Sequence, residues 1–339
     1  MTEGVDATSS PPVPPEPHRA WRLYPHEIIS AVYVLAGFVL LEQLPVTYPR
    51  SAIVLGSLLP ATIIFCIGAA VIVLRRRYRG RSVPTTPLRG ELLLLARSLL
   101  VLVPVLSMHF LLKSFIHLMN GRTWDKQLYV LDQAVHMGFS PSRFFTTLFA
   151  NRILLALVDV VYSNLYFVVV VTYTALLLSI PPLSRRLSFA SAYTLIWIVG
   201  SVVYLAMPSW GPVFLFSSDF QQTLSWMPLT VKVQRTLFHE IYSLVTHPLA
   251  PRLIKFGSVA AFPSMHLAVT GLFAMASRGV SRTWFRANLL LLAIMIIGSV
   301  VTGYHYLIDD YAGLLIAAGM WFLSRRSFSR VELPSGVQD

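Results

Sequence analysis

Long apolar runs alternate with short polar segments along most of the chain. A helix needs roughly 20 apolar residues to cross the hydrocarbon core of a bilayer, and eight runs approach or reach that length. Their approximate bounds are 27–46, 51–74, 91–114, 153–181, 187–207, 258–277, 285–304 and 305–324. The pattern therefore predicts an all-α protein, a polytopic membrane bundle of about eight transmembrane helices.

A polar segment with five prolines between Pro11 and Pro17 precedes the first apolar run. Such a segment cannot bury a core, so residues 1–26 are expected to form a disordered tail. The apolar run begins only at Ile28, and no small-residue cleavage site follows it, so we expect no signal peptide. Cys66 is the only cysteine in the sequence, which excludes disulfides and cysteine-based zinc sites.

Basic residues decide the expected orientation. The chain has 27 Lys and Arg residues against 15 Asp and Glu residues, and its formal net charge is +12. If the N-terminus is cytoplasmic, 16 of the 27 basic residues fall in short inside segments, as the positive-inside rule requires. Topology thus accounts for most of the charge, and nucleic acid is not an expected partner. Both termini are predicted to be cytoplasmic.

Two long segments, 115–152 and 208–257, then lie on the extracytoplasmic side. Both have apolar residues at helical spacing, which predicts short interfacial helices that roof a site. For the second segment, ordinary connecting loops are an equally good interpretation. The apolar positions are Leu128, Leu131 and Val135 in the first segment, and Leu237, Ile241, Leu244 and Val245 in the second.

Polar residues cluster at the outer ends of the last three predicted spans. Ser264 and His266 open the sixth span, whereas His305 and Asp309 lie where the seventh meets the eighth. A carboxylate four residues after a histidine can orient its imidazole as a nucleophile. The second histidine can protonate a leaving oxygen, and a helix start with a hydroxyl can hold an anion. This set predicts phosphoryl transfer through a phosphohistidine.

These residues resemble two signature motifs of the type 2 phosphatidic acid phosphatase superfamily. Pro263-Ser264-x-His266 is followed 39 residues later by His305-x-x-x-Asp309. The resemblance implies a helical membrane enzyme in which His305 is the nucleophile, Asp309 its partner, and His266 the general acid and base. No cofactor and no metal is implied.

The sequence departs from the phosphatases at informative positions. Gly298 and Ser299 stand where the phosphatases have Ser-Arg, so that phosphate-binding arginine is absent, and Met265 replaces a glycine. These changes resemble the branch of fungal inositol phosphorylceramide synthase and bacterial inositolphosphotransferase-like proteins. Its third motif is matched by Thr302, His305, Tyr306 and Asp309.

The first signature motif of the superfamily is absent in its standard form, so the cation for the phosphate stays open. Each cation candidate is also interpretable as an interfacial residue that extends toward the headgroups. The cation candidates are Lys113, Arg122, Lys126, Arg152 and Lys255. Further candidates for substrate binding are Ser264, Asp125, Asp132, Asp159, Tyr162 and Tyr304. For Asp159, pairing with a neighbouring helix is an equal alternative.

The resemblance covers Lys113 to Arg325 and gives a division of the chain. Residues 27–112 form N-terminal transmembrane helices, 113–326 the catalytic membrane domain and 327–339 a cytoplasmic tail. The implied function is transfer of a phospho-headgroup, with phosphoinositol as a candidate, between lipids at the extracytoplasmic face. The partners would be the bilayer, a phospholipid or lipid phosphate donor, and a lipid or sugar alcohol acceptor.

Three alternatives stay open. The first is a phosphatase of a lipid phosphate or polyprenyl diphosphate. The second is a catalytically silent lipid transporter or binder. In the third, His266, His305 and Asp309 ligate a metal. Arginine outnumbers lysine 23 to 4, which is typical of GC-rich bacterial genomes and favours the plasma membrane.

Overall fold

The computed structural model describes residues 23–44, 50–78, 87–247 and 259–328. Within these ranges every regular element is helical, which confirms the predicted all-α class. A π-helical turn, Val161–Leu165, joins the sixth helix to the seventh, and a 3₁₀ turn, Ser217–Phe220, follows the ninth. The helices are α1 (Pro25–Glu42), α2 (Arg50–Tyr78), α3 (Leu88–Met119), α4 (Asp125–Val135), α5 (Pro141–Leu148), α6 (Arg152–Val160), α7 (Tyr166–Ser179), α8 (Leu183–Ala206), α9 (Pro212–Leu215), α10 (Gln221–Leu224), α11 (Pro228–Thr246), α12 (Met265–Ser277), α13 (Arg282–Val301) and α14 (Leu307–Phe328).

Seven helical segments in the described part of the chain are long and apolar enough to cross a membrane. They are α1, α2 from Leu58, α3, the continuous α6–α7 segment, α8, α13 and α14. The chain is therefore a multi-pass membrane protein, as the apolar runs predict.

The sixth predicted span, 258–277, is shorter than the sequence indicates. Helix α12 begins only at Met265 and has 13 residues. Pro263 has no backbone N–H to donate, and Ser264 occupies the N-cap position, so the helix starts directly after them. Residues 259–264 are non-helical and mostly buried.

Helix α12 is the centre of the bundle, and it packs against α8, α13 and α14. Leu267, Ala268, Leu272 and Phe273 on this helix are completely buried. Small residues allow close contact with α14, where a Cβ added at Gly271 would lie 2.6 Å from the Leu314 side chain. This packing fixes the start of α12 against the start of α14.

Short helices cover the bundle at the end where α12 and α14 begin. Helices α4 and α5 fall in the predicted outer segment 115–152, and α9, α10 and α11 fall in 208–257. The described part of the second segment, 208–247, is therefore mainly helical and not an ordinary connecting loop, because α11 alone has 19 residues. The predicted helical character of both segments is confirmed for the described residues.

The start of α1 and the end of α14 lie together, at the end of the bundle opposite the short outer helices. The ring of Tyr24, just before α1, contacts the ring of Phe328 at the end of α14, with 5.3 Å between the centroids. Arg185, at the start of α8, donates a hydrogen bond to the carbonyl of Gly279, just after α12. Both contacts place these segments on the side away from His266 and His305.

We expect cysteine labelling to place this end in the cytoplasm, because the inside-facing segments hold most of the basic residues. In a Cys66→Ala background, Ser217→Cys next to α9 should react with a membrane-impermeant maleimide added to intact cells. Thr283→Cys, at the start of α13, should react only after the cells are opened. Both side chains are exposed in the native protein. The reverse labelling pattern would contradict the orientation.

Candidate active site

The turn between α13 and α14 holds His305 beneath the short outer helices, where its side chain is 5% exposed. Its Nδ1 lies 2.8 Å from the carbonyl oxygen of Ala261 in the non-helical segment before α12. A carbonyl oxygen only accepts, so Nδ1 carries the proton. The lone pair of the neutral imidazole is therefore on Nε2, the atom able to act as a nucleophile.

Asp309, in the first turn of α14, completes the support of this imidazole. One carboxylate oxygen lies 3.5 Å from Nδ1 of His305 and accepts a hydrogen bond of 2.9 Å from the backbone N–H of Tyr306. The carboxylate is completely buried. A negative charge at this position stabilises the imidazolium that forms when Nε2 is substituted.

His266 lies on the first turn of α12, opposite His305. The two ring centroids are 5.7 Å apart and the rings meet edge to face. The hydroxyl of Tyr162 lies 3.4 Å from Nδ1 of His266, and the two rings stack at 4.9 Å. Tyr162 belongs to the π-helical turn, a distortion that often marks functional sites and here brings the ring to the histidine.

The environment of His305 keeps its imidazole neutral. Burial lowers the pKa of His305 well below its usual range, because the cation loses its hydration. The neighbouring His266 and the Lys113 ammonium lower this pKa further, and the hydrogen bond to Ala261 opposes them. A neutral imidazole keeps the Nε2 lone pair that nucleophilic attack requires.

Among the predicted cations in the described residues, Lys113 is the one whose charge acts on His305. It projects from α3, and its Nζ lies 5.4 Å from the ring centroid of Tyr204. Arg122, Lys126 and Arg152 are exposed on the outer surface. Lys255 lies outside the described residues.

Asp125 and Asp132, both on α4, are buried, and their carboxylates accept hydrogen bonds from the backbone. Asp125 accepts from the N–H groups of Trp210 and Gly211 at 2.9 Å each. Asp132 accepts from the N–H of Ile308, in the first turn of α14, at 3.0 Å. Burial raises the pKa of each carboxyl group, and these hydrogen bonds oppose the shift. Both residues thus fasten α4 to the turns around His305.

Asp159 has a similar structural position. Its two oxygens accept hydrogen bonds from the N–H groups of Leu229 and Thr230 at 2.9 and 2.8 Å, and from the Thr230 hydroxyl at 2.6 Å. It therefore caps the start of α11. The structure thus favours the predicted alternative of pairing with a neighbouring helix.

The last two predicted binding residues line the space near the histidines. Ser264 is completely buried at the start of α12, and its N–H donates to the Asp309 carbonyl oxygen at 3.0 Å. The Tyr304 ring stacks on Tyr162 with 6.0 Å between the centroids. Both residues are within the group that surrounds His266 and His305.

Three features of the site were not found from the sequence. The Ala261 carbonyl orients His305 but is a backbone atom, which no side-chain motif reveals. Asp310 is completely buried and accepts a hydrogen bond of 2.5 Å from Ser299, the residue that replaces the family arginine. The adjacent acidic pair Asp309-Asp310 was the feature of the sequence that indicated a role for Asp310.

The third feature is the turn after α8, at residues 207–211. The carbonyl oxygen of Ser209 accepts a hydrogen bond from the N–H of Ala261, and the Ser209 hydroxyl accepts one from the N–H of Phe262. Gly211 has a φ of 94°, and a Cβ there would lie 2.4 Å from the Tyr304 carbonyl oxygen. The turn therefore packs directly on both segments that carry the histidines.

Comparison of the sequence with family models matches the PAP2 superfamily over residues 126–323. The chain belongs to the PAP2 superfamily. The matched range contains His266, His305 and Asp309, whereas Lys113 and Arg122 precede it. The superfamily comprises phosphatases and phosphotransferases, and its lipid phosphate substrates agree with a site inside a membrane bundle. Comparisons with curated proteins and with solved structures found no significant match.

The described residues contain no group of three or more His, Cys, Asp or Glu side chains arranged to hold a metal ion. His305 directs Nδ1 at a carbonyl oxygen, and Asp309 accepts from a backbone amide.

Because α14 contacts the start of α12 closely, we expect activity to be sensitive to substitution of Gly313. A Cβ at Gly313 would lie 2.2 Å from the carbonyl oxygen of Ser264, so Gly313→Ala must separate the two helices. Displacement of His266 by about 1 Å is expected to reduce turnover by roughly 100-fold. Steady-state kinetics on purified protein measures the loss.

The matched control is Gly319→Ala on the same helix, where an added Cβ meets nothing within 4 Å. This variant should keep its activity and gain up to about 1 kcal/mol of stability from the better helix propensity of alanine. Equal activity of the two variants would show that the close approach at Gly313 does not position His266.

Proposed function

We propose that the protein is a lipid phosphotransferase that moves a phospho-headgroup between lipids through a phosphohistidine on His305. The observation that carries this proposal is the pair of buried histidines, one held with Nε2 free and the other 5.7 Å away. Membership of the superfamily supports phosphatase or phosphotransferase activity in general. Phosphoinositol is the first headgroup to test, because the third motif resembles the inositolphosphotransferase branch.

In the first step, Nε2 of His305 attacks the phosphorus of the donor. The bond between phosphorus and the leaving oxygen breaks, and protonated His266 gives its proton to that oxygen. His305 becomes a phosphorylated imidazolium, whose positive charge is stabilised by Asp309 and by the Ala261 carbonyl oxygen.

In the second step, neutral His266 removes the proton from the hydroxyl group of the acceptor. The acceptor oxygen attacks phosphorus, the bond to Nε2 of His305 breaks, and the neutral imidazole is regenerated. His266 ends the cycle protonated, as it began. The Tyr162 hydroxyl at 3.4 Å and the stacked Tyr162 ring keep His266 oriented through both steps.

The negative charge of the phosphate needs a cation in a site of low dielectric constant. Lys113 is our candidate, because its charge already acts on His305. The first turn of α12 adds backbone N–H groups that have no acceptor within the helix, and such groups favour an anion. Arg122, Lys126 and Arg152 are less suited because their side chains are exposed.

Burial of the site supports transfer over hydrolysis. The side chain of His305 is 5% exposed, Asp309 is completely buried, and the short outer helices cover this end of the bundle. Exclusion of bulk water protects a phosphohistidine from hydrolysis and gives a bound alcohol a high effective concentration. We place the reaction at the extracytoplasmic face of the plasma membrane, from the distribution of basic residues.

The mechanism predicts different results for the two histidines. His305→Ala should abolish both turnover and covalent labelling by a donor with labelled phosphorus, because the nucleophile is lost. His266→Ala should reduce turnover of a natural donor by about 10²–10⁴-fold. It should still be labelled by a donor with a p-nitrophenolate leaving group, which departs without a proton.

Acid-labile label in the wild type, measured with excess chelator present, is the reference for both variants. Label that survives in His305→Ala would exclude this residue as the nucleophile. A wild type that binds lipid but never becomes labelled would indicate the silent lipid binder. Labelling that requires a divalent ion would indicate the metal alternative.

The choice between transfer and hydrolysis has its own test. Purified protein with a labelled phospholipid donor should release little free phosphate or free phospho-headgroup. Addition of an alcohol-bearing lipid acceptor should raise donor consumption and produce the new phospholipid, as measured by mass spectrometry. Rapid phosphate release from phosphatidic acid, unchanged by any acceptor, would show that the protein is a phosphatase.

A further inference from the structure

A cluster of arginines lies at the end of the bundle opposite the histidines. Arg75 and Arg76 in the last turn of α2 and Arg186 in the first turn of α8 all bind the carboxylate of Glu91. The oxygen–nitrogen distances are 3.2 Å for Arg76 and 3.4 Å for Arg186. Four helices meet here, because Arg75 also donates to the carbonyl of Ile180 at the end of α7.

This cluster carries more positive than negative charge in a poorly hydrated place. Three guanidinium groups share one carboxylate, and the side chains of Arg75, Arg186 and Glu91 are only 12%, 7% and 3% exposed. Partly buried charges of one sign are costly unless an anion compensates them.

An apolar groove runs along α3 from this end of the bundle. It has a volume of about 530 Å³ and lies between α2 and α3. Arg89 stands at its polar end, whereas its walls are apolar and belong to the membrane-facing surface. The walls are Phe65 on α2 and Leu88, Leu92, Leu93 and Ala96 on α3.

The groove and the arginines are neighbours. Leu88 and Leu92 lie three residues before and one residue after Glu91, so the groove begins within one turn of the shared carboxylate. A phospholipid has this same arrangement of parts, an anionic headgroup directly joined to an acyl chain. Arginine suits phosphate, because its planar guanidinium group donates two parallel hydrogen bonds.

We propose that this is a binding site for one anionic phospholipid of the leaflet opposite the active site. The headgroup phosphate binds Arg89 and the outward side of the arginine cluster, and an acyl chain lies in the groove along Leu92 and Ala96. Basic pockets between transmembrane helices commonly hold anionic headgroups. The bound lipid joins α2 to α3 and is not a substrate of His305.

Native mass spectrometry of the purified full-length protein tests this site. The protein is delipidated and offered equal amounts of palmitoyl-oleoyl phosphatidylglycerol and phosphatidylcholine, and the mass of the retained lipid is read directly. One phosphatidylglycerol should be retained per chain, with roughly tenfold preference over phosphatidylcholine. Equal retention of both lipids would overturn the proposal.

Two variants separate the headgroup from the groove. Arg89→Gln removes one exposed cation and should weaken phosphatidylglycerol binding by roughly fivefold. Ala96→Trp fills the groove without a change of charge and should abolish the one-to-one complex. Arg282→Gln, at another helix end on the same side of the bundle, is the matched control and should bind as the wild type does.

Two further outcomes would contradict the proposal. Retention of phosphatidylglycerol by Ala96→Trp would place the lipid elsewhere, for example in the active site. Displacement of the lipid by excess glycerol 3-phosphate would show that the arginines bind a soluble phosphate and that the groove has no part. The assay reads binding and not turnover, so its result is independent of whether His305 is a nucleophile.

Discussion

The hydrogen bond between Nδ1 of His305 and the carbonyl oxygen of Ala261 is the contact on which the site depends. It joins two segments of irregular backbone, one before α12 and one before α14. The same two segments are joined again by the N–H of Ser264, which donates to the carbonyl oxygen of Asp309. These bonds hold both histidines in one frame and leave Nε2 of His305 available for attack.

Buried carboxylates hold the surrounding helices in place around the two irregular segments before α12 and α14. Asp125 and Asp132 fasten α4 to the turn after α8 and to the start of α14, and Asp159 fastens α6 to the start of α11. Each accepts backbone N–H groups that have no acceptor within their own element, so each satisfies donors that would otherwise be buried without a partner. The outer helices therefore cover the histidines as one connected layer.

The sequence was sufficient for the fold class, and it also singles out His266, His305 and Asp309, which the structure brings together. The reason in both cases is periodicity. Apolar runs of fixed length predict spans, and His305 and Asp309 are four apart on one chain segment. It was not sufficient to choose among Lys113, Arg122 and Lys126, because the choice depends on which face of a helix packs inward. It also assigned Asp125 and Asp132 to the substrate, although both carboxylates accept hydrogen bonds from backbone N–H groups distant in sequence.

The sequence also predicts a helix from residue 258, whereas α12 begins only at Met265. A run of apolar residues indicates burial, and the buried segment 259–264 is as apolar as a helix although it is not one. The family match covers 126–323, the range that contains the motif residues, yet neither the match nor the geometry distinguishes an acceptor alcohol from water. The choice of acceptor depends on the shape of the space next to His266 and His305, and the identities of the motif side chains carry no information about that shape.

The shortness of α12 has a consequence for the chemistry. Thirteen residues span only ~20 Å at 1.5 Å per residue, about 10 Å less than the hydrocarbon core. His266, in its first turn, is therefore recessed from the outer surface, and irregular backbone fills the remaining depth. Such backbone is tolerated inside a membrane only where protein surrounds it, and the short outer helices supply that cover. In the proposed mechanism a donor phosphate leaves the headgroup layer to reach His305, protein groups replace its hydration, and water has little access to the phosphohistidine.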